Sequence, residues 1–263
     1  PTTQNTLSLH DALPILFGYG GSLLFDGFSA SFPTGSISCI VGPNGCGKST
    51  LAKLAMGMVK PTSGHVRIAG RDASSLAARD RARLLGVLVQ QQEAPMMTAR
   101  ELVACGRFPS CGQFSRLSRE DEERIDEALL LAGVSELRDR SLQSLSGGQR
   151  QRVRMAMVLA QDTPIVLLDE PTSFMDVAAC FDMVRLIRQV RQRGKTVIAV
   201  IHDLNLALSV ADQVFVMERG RLAAQGESAD GCVRSAIEQS FGVRLEHVQT
   251  SYGTAWVPFE LRE

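Results

Sequence analysis

Short apolar runs recur along the chain, each bounded by glycine, proline or charge. Residues 36–41 (SISCIV), 86–90 (GVLVQ), 165–168 (IVLL) and 195–201 (KTVIAVI) are continuous enough to be strands buried on both faces. Between them lie segments of helical period: 51–56, 79–85, 149–161 and 177–193, the last ending at Gly194. Buried strands alternating with helices predict an α/β core with a mostly parallel sheet flanked by helices. Before that core, residues 16–21 and 23–32 read as two strands of an N-terminal antiparallel β part. Residues 65–70 read as a further strand, with His65 on its solvent side.

Between 91 and 149 the pattern turns helical. Residues 98–105 carry Thr98 and Glu101 at capping-box spacing, and residues 118–132 open on an acidic turn and stop at Gly133. The loop at 108–112 reads as exposed turn. This stretch is expected to be an α-helical subdomain inserted into the core. After it come a hairpin, 213–217 and 221–224 about Arg219-Gly220, a helix near 228–240, and strands near 243–249 and 254–258. Trp256 and Tyr252 are expected to pack rather than act.

Composition narrows this picture. The chain has 263 residues, 44% hydrophobic and 21% charged, an ordinary globular balance. Lys+Arg and Asp+Glu both number 28, so no basic excess points to nucleic acid. No run of 18 or more apolar residues suggests a membrane span. The six cysteines form no C-x-x-C pair and lie outside zinc spacing with histidine, so free thiols are expected. Residues 1–15 resemble a translated sequencing adapter. They are expected to stand outside the fold, which would leave a native first strand missing; the alternative is that they are a genuine first strand. The domain then runs 16–263: core about 16–90 and 150–225, helical subdomain about 91–149, C-terminal extension about 226–263.

The chemistry begins at Gly42-Pro43-Asn44-Gly45-Cys46-Gly47-Lys48-Ser49-Thr50, a match to G-x-x-x-x-G-K-[ST] between a strand and a helix. Such a match arises by chance in roughly one chain in a hundred of this length at average composition. Glycines let backbone N–H groups surround phosphate oxygens, and the helix N-terminus adds partial positive charge. Lys48 would reach the β- and γ-phosphates and Ser49 would ligate Mg²⁺. Residues 165–168 end in Asp169 and Glu170, adjacent carboxylates whose burial is costly without a cation. Asp169 fits a Mg²⁺ position and Glu170 a general base for water. Gln90 and His202 each end a buried strand, where α/β sheets gather ligands. Ser146-Gly147-Gly148-Gln149 opens a helix and suits an anion or a plain cap. Tyr19 could stack on a base or sit half-buried in its strand.

The order of these motifs resembles the ATP-binding subunit of ABC transporters over residues 16 to about 240, and LSGGQ ahead of the LLDE strand is the most specific part. That resemblance implies a P-loop NTPase core, an ATP hydrolase, and the cofactors ATP and Mg²⁺. Tyr19 would stack on adenine and residues 42–50 would hold the phosphates. Gln90 would touch Mg²⁺ and the attacking water and sense a permease. Ser146 to Gln149 would contact the γ-phosphate held by a second copy. Asp169 would serve Mg²⁺, Glu170 would be the base, and His202 would contact the γ-phosphate. Asp176 would lie in the loop crossing the dimer, preceded here by Met175 where the family usually has Leu.

The implied partners are a second copy of the chain, integral-membrane permease subunits and, indirectly, a periplasmic or surface binding protein. The implied place is the cytoplasmic face of a bacterial inner membrane. The stretch 97–109 (MTARELVACGRFP), with Gln90-Gln91 and Phe241-Gly242-Val243, is similar to importers of iron(III)–siderophore complexes, with haem and cobalamin importers as relatives. A non-transport ABC protein would carry paired ATP domains, coiled-coil inserts, zinc ligands or basic surfaces. A P-loop kinase or GTPase would lack LSGGQ and the terminal histidine.

Overall fold

A computed structural model describes residues 7–8, 14–89, 94–111, 116–173, 175–251 and 253–260. Gln90 and Tyr252 lie outside them. The backbone of the molecule is a six-stranded sheet. Its strands are β5 (Ile37–Val41), β8 (Leu85–Leu88), β9 (Ile165–Asp169), β10 (Thr196–Val200), β11 (Gln213–Glu218) and β12 (Arg221–Gly226). Their order is β12-β11-β5-β10-β9-β8, parallel throughout except for the antiparallel edge strand β12.

β5, β9 and β10 are buried along their whole length. Their alternate side chains serve opposite cores, as a pleated strand requires. Cys39, Val41, Leu168 and Ala199 join the larger apolar cluster with the helices of one face. Ile40, Leu167, Ile198 and Val200 join the cluster on the other. That second cluster holds α1 (Lys48–Ala55) and the hairpin of β2 (Ile15–Tyr19) with β3 (Ser22–Phe28). Phe17, Phe25 and Phe28 form its aromatic centre.

A small antiparallel sheet completes the N-terminal part: β4 (Ser31–Phe32), β1 (Leu7–Ser8), β6 (Arg67–Ile68) and β7 (Arg71–Asp72), in the order β4-β1-β6-β7. Of residues 1–15, expected to stand outside the fold, Leu7 and Ile15 lie inside it. Leu7 pairs with both Phe32 and Ile68 and is 1% exposed, and Ile15 starts β2 at 0%. Leu7 lies between Phe32 and Ile68, Ile15 pairs with Phe28, and burying such apolar side chains is worth about 2 kcal/mol each. Residues 23–32 do not form one strand. The chain leaves the hairpin after Phe28 and enters the other sheet at Ser31.

The helices between β8 and β9 are α3 (Ala99–Cys105), α4 (Phe108–Cys111), α5 (Arg119–Leu131) and α6 (Gly147–Ala160). The loop expected at 108–112 is thus helical over four residues, its carbonyls Pro109 and Ser110 taken by Arg79 and Arg83 of α2 (Ala78–Leu84). α3, α5 and α6 each begin with a capping box: Thr98 with Glu101, Ser118 with Asp121, Ser146 with Gln149. Asp121 also receives the buried Arg107 guanidinium at 2.9 Å, and Arg107 donates onward to the Ala160 carbonyl at 2.7 Å. The bridge ties α5 to α6.

α7 (Val177–Gln192) and α8 (Leu204–Val210) flank β10, and α9 (Gly231–Phe241) leads into a terminal hairpin, β13 (Val243–Thr250) with β14 (Gly253–Glu260). Trp256 is buried there, its N–H donating to Asn205 of α8 at 3.0 Å, so it packs as expected. All six cysteines are free. Among the described residues no helix is long and apolar enough to cross a membrane.

Candidate functional site

Three neighbouring parallel strands deliver the site. Val200 of β10 stands level with both Asp169 of β9 and Ile40 of β5. The loops leaving their carboxyl ends therefore open at one place. They line a cavity of about 200 Å³ with Asn44, Lys48, Ser49, Thr50, Glu170 and His202.

The glycine loop is shaped by what lies beneath it. Gly47 has φ 110°, in the left-handed region, and a Cβ there would stand 2.6 Å from the Phe25 ring. Only glycine meets both conditions. Lys48 follows, 7% exposed, its Nζ donating to the Gly42 carbonyl at 2.6 Å and the Pro43 carbonyl at 2.9 Å. The Cys46 thiol lies 3.9 Å from that ammonium. Burial pushes the thiol's pKa up, against the pull of Lys48. The ammonium thus rests on neutral carbonyls, an arrangement that an arriving phosphate would improve.

Asp169 is buried, and its Oδ1 has no hydrogen-bond partner. Burial raises its pKa and the Glu170 charge adds to that, while the Ser49 hydroxyl and the charges of His202 and Lys48 oppose it. A buried carboxylate oxygen without a partner is costly unless a cation takes it. Hard oxygen donors from one carboxylate and one hydroxyl suit Mg²⁺, which completes its shell from phosphate and water. Among the described residues no group of three or more His, Cys, Asp or Glu could hold a metal alone. The residues therefore fit a Mg²⁺ carried in with a nucleotide.

Glu170 is held under strain. Its φ is 54°, sparsely populated for a side-chain-bearing residue, and its N–H donates to the Val200 carbonyl at 3.1 Å. Oε1 lies 2.6 Å from His202 Nε2, and Oε2 accepts from the Ser173 hydroxyl at 2.9 Å. Burial pushes its carboxyl up, but the bonds from His202 and Ser173 and the charges of His202 and Lys48 outweigh it, and the net shift is downward. The group is an ionised acceptor at neutral pH.

The other residues singled out in the sequence do not reach this cavity. Tyr19 ends β2, about half exposed, its ring edge-on to Phe17 at 4.9 Å. Ser146 caps α6 by accepting from the Gln149 N–H at 3.2 Å, and Asp176 caps α7 by accepting from the Ala179 N–H at 2.8 Å. These two helix starts adjoin each other. A Cβ on Gly148 would sit 3.8 Å from both Met175 and Ala179. One set of predicted residues thus surrounds the cavity and a second, Ser146 to Gln149 with Asp176, lies at the adjoining starts of α6 and α7, while Tyr19 joins neither. Sequence reasoning missed Ser173, Leu24, which also lines the cavity, and Phe25 beneath Gly47. Ser173 was findable three residues past Glu170, within a turn's reach. The two hairpin residues carry no local signal.

A family model described as ABC transporter matches residues 25–173, from β3 to Ser173. The chain belongs to the ABC transporter family. It is similar to the ferric enterobactin transport ATP-binding protein FepC of Escherichia coli (strain K12), at 39% identity over 88% of this chain and 86% of that protein. Among solved structures it is similar to a metal-chelate type ABC transporter in an inward-facing conformation, with TM-score 0.82, 25% identity and 97% of each chain covered. It is also similar to the dimeric bacterial ABC transporter cassette MJ0796, with TM-score 0.74, 27% identity, and 85% of this chain and 99% of that one covered. The protein is an ATP-binding ABC ATPase, and its parallel-dominant α/β sheet is the cassette fold.

Proposed function

We propose that this ABC ATPase powers import of an iron(III)–siderophore-type complex, working as a head-to-tail pair of identical chains beneath a membrane permease. The observation that carries the pairing is the division of the predicted residues. The cavity gathers Lys48, Ser49, Glu170 and His202, with Asp169 bonded to Ser49 beside it, while the Ser146–Gln149 end stands outside that cavity against the start of α7, with Ser146 exposed. A second copy turned head to tail would bring that end over the cavity, and similarity to a dimeric cassette supports this. The iron(III) chelate is supported by similarity to a ferric enterobactin transport protein and to a metal-chelate type transporter.

In this reading residues 42–50 cradle the triphosphate with backbone N–H groups, and Lys48 leaves the Gly42 and Pro43 carbonyls for the β- and γ-phosphates. Ser49 and Asp169 would hold Mg²⁺, joined in this reading by Gln90, which lies outside the described residues. There Mg²⁺ would neutralise phosphate charge. Glu170, ionised and fixed by Ser173, orients water for in-line attack and takes its proton. His202 moves from Glu170 to the γ-phosphate as the site closes. Tyr19 stacks on adenine. Ser146 to Gln149 and the Asp176 loop of the second copy complete the site. Closure is favoured because ATP binds the paired state better than the open one. The assembly then sits on the cytoplasmic face of a bacterial membrane, with a binding protein delivering the chelate.

Glu170→Gln tests the site. Hydrolysis falls by about 10²–10⁴-fold, ATP binding persists, and an ATP-dependent dimer accumulates in light scattering. A Glu170→Gln protein that stays monomeric with saturating ATP, alone and with its permease, defeats the shared site. Reconstitution with the permease sorts the cargo: ferric siderophores stimulate hydrolysis, whereas haem or cobalamin stimulating instead assigns it to those.

A further inference from the structure

A second cavity, about 250 Å³, opens at the other end of α1, beyond Leu54, away from the end that bears Lys48. Its floor is apolar: Leu54, Val66, Ala73 and Leu76 are each no more than 6% exposed. Its rim carries Lys60, Arg81 and Asp72, with His65 beside Asp72.

The one acid on that rim is already engaged. Asp72 Oδ1 accepts from the Ser74 N–H at 2.8 Å and the Ser74 hydroxyl at 2.6 Å, and Oδ2 lies 2.8 Å from His65 Nδ1. The two cations are not. Among the described residues neither Arg81 nor Lys60 has a carboxylate within ion-pair distance. Arg81 is half-buried, its guanidinium lying against Gly57, where a Cβ would stand 2.6 Å from Cζ. It donates to the Ala73 carbonyl at 2.8 Å, which uses one of the five N–H donors of its fork. A half-buried guanidinium with donors to spare, above an apolar floor, is the constellation that fixes a carboxylate bearing an apolar body.

We propose that this cavity binds a small organic monoanion of the aromatic carboxylate class, its carboxylate held by Arg81 and Lys60 and its ring by the floor of Leu54, Val66, Ala73 and Leu76. Size agrees. A cavity of about 150 Å³ holds benzene. The extra room here admits a ring with a carboxylate. Inorganic phosphate would satisfy the cations but leave the floor unfilled.

The test uses the full chain with benzoate as probe, followed by amide chemical shifts and saturation-transfer NMR. Benzoate binds saturably, shifts the Ala73 and Arg81 amides, and is undisturbed by MgATP. Benzyl alcohol, of the same body without charge, binds about tenfold more weakly, as one lost charge-assisted contact predicts. Arg81→Gln weakens benzoate by about tenfold or more. Because Arg81 also secures the Ala73 carbonyl, the exposed Lys60→Gln is the second variant. It weakens benzoate severalfold while leaving basal ATP hydrolysis unchanged. Absence of saturable binding overturns the proposal, and so does equal affinity for benzyl alcohol. Displacement by MgATP, with loss in Lys48→Ala, overturns it too and puts the anion in the phosphate loop.

Discussion

At the carboxyl ends of β5, β9 and β10, polar groups stand waiting. Lys48 rests on loop carbonyls, Asp169 keeps an oxygen without a partner, and Glu170 sits at a strained φ of 54°. At the starts of α6 and α7 the opposite holds. Ser146 and Gln149 close on each other in a capping box, and Asp176 closes on Ala179. The first region is incomplete within its own chain and is finished by a ligand. The second is complete within its own chain, and under the proposed pairing its use comes from a second copy.

Glycine substitutions separate the two regions most sharply. Gly47→Ala forces a Cβ into the Phe25 ring at a φ of 110° and is expected to cost about 3 kcal/mol, read as a lowered midpoint in urea unfolding, with ATP binding lost alongside. Gly148→Ala meets only ordinary contacts at 3.8 Å inside a helix. It should leave stability equal or higher by up to about 1 kcal/mol. Yet it should lower hydrolysis by about a hundredfold, because a methyl group at a shared surface displaces the γ-phosphate contact. If Gly148→Ala hydrolyses ATP normally, that helix start faces no nucleotide.

Smaller effects refine the contrast. Ser146→Ala removes a cap and should cost about 1 kcal/mol, with a hydrolytic defect larger than that loss explains. Ser38→Ala addresses a group waiting for nothing. The Ser38 hydroxyl is fully buried within β5 and has no hydrogen-bond partner, so its removal should be neutral or stabilising by about 0.5–1 kcal/mol in the same unfolding assay, with hydrolysis unchanged.

The helices and buried strands were legible because each carries its own signal. Thr98 with Glu101 and Gly133 marked α3 and the end of α5, and the unbroken apolar runs of β5, β9 and β10 could only be two-sided core. The N-terminal part was less legible. Its strands are two to seven residues long and pair across distant sequence, so nothing local announces that Leu7 sits between Phe32 and Ile68, or that the chain changes sheets after Phe28.

The sequence by itself determined the site's chemistry, since phosphate-cradling glycines, a lysine, a hydroxyl and paired carboxylates are set by residue type and short spacing. Only the tertiary structure decided which of them meet. Strand order places β9, β10 and β5 side by side, and that register brings Glu170 to His202 across 32 residues, while packing of the separate β2–β3 hairpin sets Phe25 beneath Gly47. The same order leaves Ser146 to Gln149 on another face. Side-chain chemistry is a local property, whereas convergence is the sum of many weak packing choices, and those are fixed only when the whole core closes.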